Sequence, residues 1–277
     1  MENVIEVKNL IKKYDGFCLK NISFALKKGT ITGFIGKNGA GKSTTLKAIM
    51  GLIQLDSGEV KLRIKRIKNS YPIGYLGMEK SIYPEESLEK IAKFVSNAWN
   101  EQWDEKEFLK YSIEVFGLNL KRKMKELSTG MVIKFLLAME LAKKPEILLL
   151  DEPTSGLDPV IREEILSILR ELVNQKGITV LFSTHITEDV MKIADYVIYI
   201  NAGQIVFNGC KDELNKRFVK IKKSELNNLP SELRTPILGN AILNRDYYIW
   251  DNEDIEIKDI KLEPADLDEA LIILGGN

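Results

Sequence analysis

Cysteine and histidine are scarce in this chain: 277 residues hold two Cys and one His. Cys18 and Cys210 stand far apart in a sequence long enough to build its own core, which excludes a disulfide scaffold. Two thiols and one imidazole also cannot supply the four ligands of a Cys/His zinc centre. Net charge is missing as well. The 40 basic and 40 acidic side chains cancel, so no positive field recruits nucleic-acid phosphates or anionic lipid. Long apolar runs are absent: residues 147–150 and 270–274 fall far short of the roughly 18 that a spanning helix needs. The first residues set Glu2 and Glu6 among Val4, Ile5 and Val7, a strand pattern and not a signal peptide. The expectation is a soluble, intracellular protein with no nucleic-acid partner and no direct membrane insertion.

Apolar residues make up 44% of the chain, enough for a packed core and too many for disorder. The length suits one large domain, or one domain with an appendage. Strand signals fall at residues 5–7, 21–26, 31–35 and 73–76. A helix is expected from Lys42 to about Met50, stopped by Gly51, and Asp56-Ser57-Gly58 reads as a turn. From about 80 to 127 the pattern turns helical. Ser87 can cap one helix, and a second should run from Asp104 to Phe116, ended by Gly117. Strand–helix alternation then resumes, with helices over about 130–143 and 160–175, strands over 147–150 and 179–183, and a hairpin around Asn201-Ala202-Gly203. This predicts an α/β core with a helical insertion. Residues 211–277 read as a charged C-terminal appendage with short alternating stretches such as Ile255 and Ile257.

The sharpest motif is Gly36-Lys37-Asn38-Gly39-Ala40-Gly41-Lys42-Ser43, which lies between an apolar strand and a helix. It fits the phosphate-binding loop G-x-x-x-x-G-K-[ST]. Glycines let backbone N–H groups curl around phosphate oxygens, and the helix N-terminus adds partial positive charge. Lys42 can reach the β- and γ-phosphates, the hydroxyl of Ser43 can ligate magnesium, and Thr44 completes the loop's entry into the helix. Four apolar residues then deliver Asp151 and Glu152 to a strand end, where ligands bind in open parallel sheets. Asp151 is the magnesium-side acid and Glu152 the residue to polarise water. The other role open to one of them is to cap the turn before Pro153. A guanine reader is lacking: Asn215-Lys216-Arg217-Phe218 begins like one but has no acid.

Leu127-Ser128-Thr129-Gly130-Met131 lies just before a helix, about twenty residues ahead of Asp151. With Ser155-Gly156-Leu157-Asp158, His185 and Tyr14, it completes a series in order and register over roughly residues 1–210. The series resembles the ATP-binding cassette (ABC) ATPases, with their LSGGQ signature, D-loop, switch histidine and adenine-stacking aromatic. Bland alternatives remain: strand-end packing for Tyr14, a plain helix cap for Ser128, a surface role for His185. The resemblance implies a P-loop NTPase fold with a RecA-like core, an antiparallel β subdomain and the helical insertion, over an ATPase domain of residues 1–210. It implies ATP and Mg2+ as cofactors. It also implies a second ATPase subunit, homo- or heterodimeric, whose Ser128 and Gly130 complete the site, and an integral membrane permease as partner. The protein would then sit peripherally at the cytoplasmic face of the membrane. Its features look like those of bacterial drug, antibiotic or lipid exporters. The alternatives are a soluble ABC ATPase acting on DNA or the ribosome, and a non-hydrolysing regulatory module. Two departures stand out. Thr129 and Met131 replace the commoner Gly and Gln of the signature. Met78 stands where a magnesium-contacting Gln is usual, and a thioether suits a hard cation poorly. Glu79, one residue on, is the candidate substitute.

Overall fold

The structure, a computed structural model, describes residues 2–64, 72–77, 83–244, 246–251 and 262–275. Strands β1 (Asn3–Tyr14) and β2 (Phe17–Lys27) form a long hairpin, and β3 (Ile31–Ile35) runs into the glycine loop and α1 (Lys42–Ile49). After β4 (Ser57–Leu62) and β5 (Ile73–Leu76) come the insertion helices α2 (Leu88–Trp99) and α3 (Glu105–Leu109), then α4 (Thr129–Ala142). The alternation β6 (Ile147–Asp151), α5 (Pro159–Lys176), β7 (Thr179–Thr184), α6 (Thr187–Ile193) leads to the hairpin β8 (Tyr196–Asn201) and β9 (Gln204–Cys210).

The central sheet has the order β5-β6-β7-β3-β8-β9, parallel except for β9. Its strands are apolar on both faces because both faces are covered. Leu148, Leu150, Val180 and Phe182 face a core shared with α4 and α5. Ile147, Leu149 and Leu181 face a second core, shared with α1 and the antiparallel sheet β2-β1-β4. These residues are essentially inaccessible to water, and each contributes about 2 kcal/mol by burial. Two register pairs matter for the site: Ile35 lies opposite Thr184, and Asp151 opposite Ser183. The C-terminal ends of β3, β7 and β6 are therefore level.

The insertion forms largely as its caps predict. Ser87 accepts from the Lys90 N–H at 3.4 Å and Asp104 from the Glu107 N–H at 3.1 Å. Trp103, Phe108 and Phe135 stack in series at 5.3 and 6.2 Å, tying α3 to α4. The second insertion helix departs from expectation. It is α-helical only to Leu109 and continues as a π-helix over Lys110–Val115, with Phe116 N–H bonded to the Tyr111 carbonyl. Buried Ser112 explains the shift, since its hydroxyl donates to the Phe108 carbonyl at 2.7 Å and competes with the helical ladder. Gly117 ends the helix at φ 63° as expected.

Beyond residue 210 come α7 (Lys211–Arg217), β10 (Phe218–Lys222), α8 (Lys223–Leu226), α9 (Ser231–Asn240), β11 (Ala241–Asn244), β12 (Tyr247–Asp251), β13 (Glu263–Pro264) and α10 (Leu267–Gly275). Their strands form an antiparallel sheet, β11-β12-β10-β13. Phe218, Ile249, Ala265, Leu267 and Ala270 join the same apolar cluster as Val190 and Ile193 of α6. Ile255 and Ile257 lie outside the described residues. Among those described, no helix is long and apolar enough to cross a membrane.

Candidate active site

The loop after β3 turns tightly against its neighbours. A Cβ on Gly36 would come within 2.5 Å of the Ile200 carbonyl oxygen. Gly41 sits at φ 113°, where a Cβ would meet Leu19 and, at 2.9 Å, Phe17. Crowding and left-handed backbone both demand glycine there. Lys42 is buried. Its ammonium donates to the Gly36 carbonyl at 2.6 Å and the Lys37 carbonyl at 3.3 Å, and lies 3.1 Å from Glu152 Oε1. Thr45 Oγ1 donates to the Gly41 carbonyl at 2.8 Å, fixing the first turn of α1.

The two acids follow from the level strand ends. Ser183 Oγ donates to Asp151 Oδ1 at 2.6 Å and accepts from the Glu152 N–H at 3.1 Å, using both capacities of a hydroxyl. Glu152 adopts φ 51°, an uncommon left-handed conformation for a non-glycine residue. Its N–H is held by the Ser183 hydroxyl and carbonyl, and its carboxylate spans two partners. One is Lys42; the other is His185 Nδ1, 2.9 Å from Oε2. His185 follows β7 directly, so register places the imidazole across from the acid. Asp151 Oδ2 is buried with no protein partner. An orphaned carboxylate oxygen beside a glycine loop bearing the Ser43 hydroxyl is a hard-oxygen donor set, which fits Mg2+.

A cavity of about 470 Å³ is lined by Gly16, Phe17, Asn38, Gly39, Gly41, Lys42, Ser43, Thr44 and Glu152. Ala40 is buried beneath the loop, whereas Lys37 and Asn38 are exposed. Phe17 and Gly16 were not singled out in the sequence. Tyr14, which was, stands 48% exposed beside the cavity, with the Lys12 ammonium 5.2 Å from its ring. The hairpin pairs Tyr14 with Phe17, so the two aromatics lie directly opposite each other at its tip.

Ser128, Thr129 and Gly130 do not line this cavity. Ser128 is exposed and caps α4, accepting from the Met131 N–H at 3.3 Å. Gly130 is buried against α5, where a Cβ would stand 2.7 Å from Ile161 Cγ2. Asp158 caps α5, accepting from the Val160 and Ile161 N–H groups at 3.1 Å. Met78 and Glu79 lie outside the described residues. One chain thus brings together the phosphate loop, Asp151, Glu152 and His185, and leaves Ser128 facing outward.

The ABC transporter family profile matches residues 19–155. A probable multidrug ABC transporter ATP-binding protein of Escherichia coli, YbhF, is 34% identical over 222 residues, covering 77% of this chain and 38% of that protein. The chain thus spans well under half the length of that relative. The linearmycin resistance ATP-binding protein LnrL of Bacillus subtilis is 33% identical, covering 77% of this chain and 71% of that protein. An energy-coupling factor transporter ATP-binding protein of Clostridioides difficile is 30% identical, covering 78% of this chain and 80% of its own. The dimeric structure of a bacterial ABC transporter cassette superposes with a TM-score of 0.64 at 25% identity, over 74% of this chain and 98% of that one. Residues, register and relatives agree, and the chain belongs to the ATP-binding cassette transporter family, among its ATP-binding proteins.

Proposed function

We propose that the chain is the ATP-hydrolysing motor of an exporter, closing as a dimer around ATP to drive a separate membrane permease. Residues 1–210 are the cassette in this reading, and residues 211–277 an appendage. The observation that carries it is the grouping of Lys42, Asp151, Glu152 and His185 at level strand ends, with the Ser128 hydroxyl exposed elsewhere on the same chain. Each copy then holds one half of two sites. Tyr14 stacks on adenine and residues 36–44 cradle the phosphates. Lys42 leaves its carbonyl partners for the β- and γ-phosphates. Ser43 and Asp151 hold magnesium, which neutralises phosphate charge when bound. Glu152 accepts a proton from water, and His185 donates toward the γ-phosphate. Ser128 and Gly130 of the opposing copy close over that phosphate, with Asp158 at the seam between copies.

Export is supported by two relatives, a probable multidrug ABC transporter ATP-binding protein and a linearmycin resistance ATP-binding protein. Magnesium-dependent ATP turnover by the purified chain tests the motor, and Glu152→Gln should bind ATP while losing turnover. Wild-type turnover in that variant would refute the assigned base. Gentle detergent extraction of the tagged protein, with identification of the membrane polypeptide that accompanies it, tests the partner. Recovery with no membrane polypeptide would count against the permease.

A further inference from the structure

Asp189 is a carboxylate buried to 1% exposure on α6, the helix that starts two residues after His185. Its Oδ2 accepts from Thr154 Oγ1 at 2.6 Å, and its Oδ1 pairs with the Nε–H of Arg162. Thr154 is equally buried and lies two residues beyond Glu152. Arg162 lies one turn into α5, its own N–H bonded to the Asp158 carbonyl at 3.0 Å. The same guanidinium reaches Glu188 at 3.2 Å, but that carboxylate is 82% exposed. On its other side α6 is pressed against β3, since a Cβ on Gly33 would stand 2.6 Å from Val190 Cγ1. The helix is thus clamped between the strand that feeds the phosphate loop and the turn that follows the two acids.

We propose that Asp189 is a positioning residue for ATP hydrolysis. The cluster Thr154–Asp189–Arg162 joins the segment 152–158 and the switch histidine into one rigid body. Two consequences follow. His185 Nδ1 is kept within hydrogen-bond reach of Glu152, although the imidazole itself is 44% exposed. A push on Asp158 is also carried to His185 through Arg162, because a fully bonded buried carboxylate cannot trade partners without leaving a polar atom unsatisfied. This rests on the reading of Glu152 and His185 given above.

The test is steady-state turnover and equilibrium ATP binding by the full chain carrying Asp189→Asn or Thr154→Val. A displacement of about 1 Å at a reacting group costs on the order of 100-fold, so we expect kcat to fall by roughly 10- to 100-fold in Asp189→Asn, with KM for ATP within about threefold of wild type. Glu188→Gln should stay within about twofold of wild type, because an exposed pair contributes little. In a His185→Ala background, Asp189→Asn should cost less than about twofold more, since residues acting through one group are not additive. Wild-type kcat in Asp189→Asn overturns the proposal. So does a full multiplicative loss in the double variant, or a loss confined to KM. If Asp189→Asn does not fold, Thr154→Val decides alone, and unchanged kcat there overturns it. Unchanged turnover in His185→Ala overturns the reading of the site and this proposal with it. A large loss in His185→Ala beside wild-type turnover in Asp189→Asn overturns only the clamp.

Discussion

Lys42 and Glu152 hold each other at 3.1 Å, both nearly inaccessible to water. Each supplies the opposite charge that the other's burial requires. In the proposed mechanism, Lys42 reaching for phosphate would break this pair and leave the carboxylate to water.

Removing the cation alone should leave the buried Glu152 carboxylate with only the His185 imidazole beside it. We expect Lys42→Met to lose ATP binding and to lower stability by about 3 kcal/mol, the usual penalty of an uncompensated buried charge. Adding Glu152→Gln should recover most of that stability and none of the binding. Chemical denaturation of the two variants checks the first point and equilibrium dialysis the second.

Ser183 anchors both acids at once. Ser183→Ala removes a donor to Asp151 and an acceptor for the Glu152 N–H, so we expect a loss of about 1–3 kcal/mol. With the Glu152 N–H held at its left-handed backbone position by the Ser183 carbonyl alone, turnover should fall more than ATP affinity. Stability and turnover curves recorded on the same preparation would expose a discrepancy.

Gly130 is fixed by packing. A methyl at that position would strike Ile161, and Gly130→Ala should tilt the start of α4 and the Ser128 hydroxyl with it. The expected result is roughly a tenfold loss of turnover with ATP binding by the isolated chain intact. Ile161→Ala in the same chain should restore part of it by making room. No recovery would mean that the glycine matters for something other than space.

Glu140 gives a pH test of the fold. Burial raises its carboxyl above the ordinary Glu range, while Lys143 and the Tyr75 N–H act the other way. A raised folded value means the folded chain holds the proton more tightly than the unfolded one. That stability is present below the unfolded pKa and is lost as pH rises through the folded one. Glu140→Gln cannot ionise. Its melting temperature relative to wild type should therefore climb over the window in which pH rises above the ordinary Glu range. Calorimetry across that window, showing a constant or falling difference, would contradict the assignment.

The parts of the site legible in the sequence are those whose chemistry is local. The glycine spacing of 36–41, the apolar run ending in Asp151 and Glu152, and the caps Ser87, Asp104 and Ser128 each act within a few residues. What was missed depends on partners far along the chain. Phe17 reaches the cavity through hairpin register, and Asp189 has meaning only beside Thr154 and Arg162, 35 and 27 residues away. Strand β4 goes unmarked beyond the turn signal at Asp56-Ser57-Gly58, because its SGEVKL run is mostly exposed at a sheet edge and carries little apolar signal. The seven residues of α6 are too few to establish a helical period. The π-helix after Leu109 turned on one serine hydroxyl reaching back to a carbonyl.

The apolar cluster that runs from Val190 and Ile193 through Phe207 and Leu214 to Phe218, Ile249 and Ala270 ignores the junction at residue 210. A chain trimmed there for crystallisation would bare a greasy flank directly behind α6. It would clump during expression, and any drop in its turnover would say more about a damaged scaffold than about a discarded regulator.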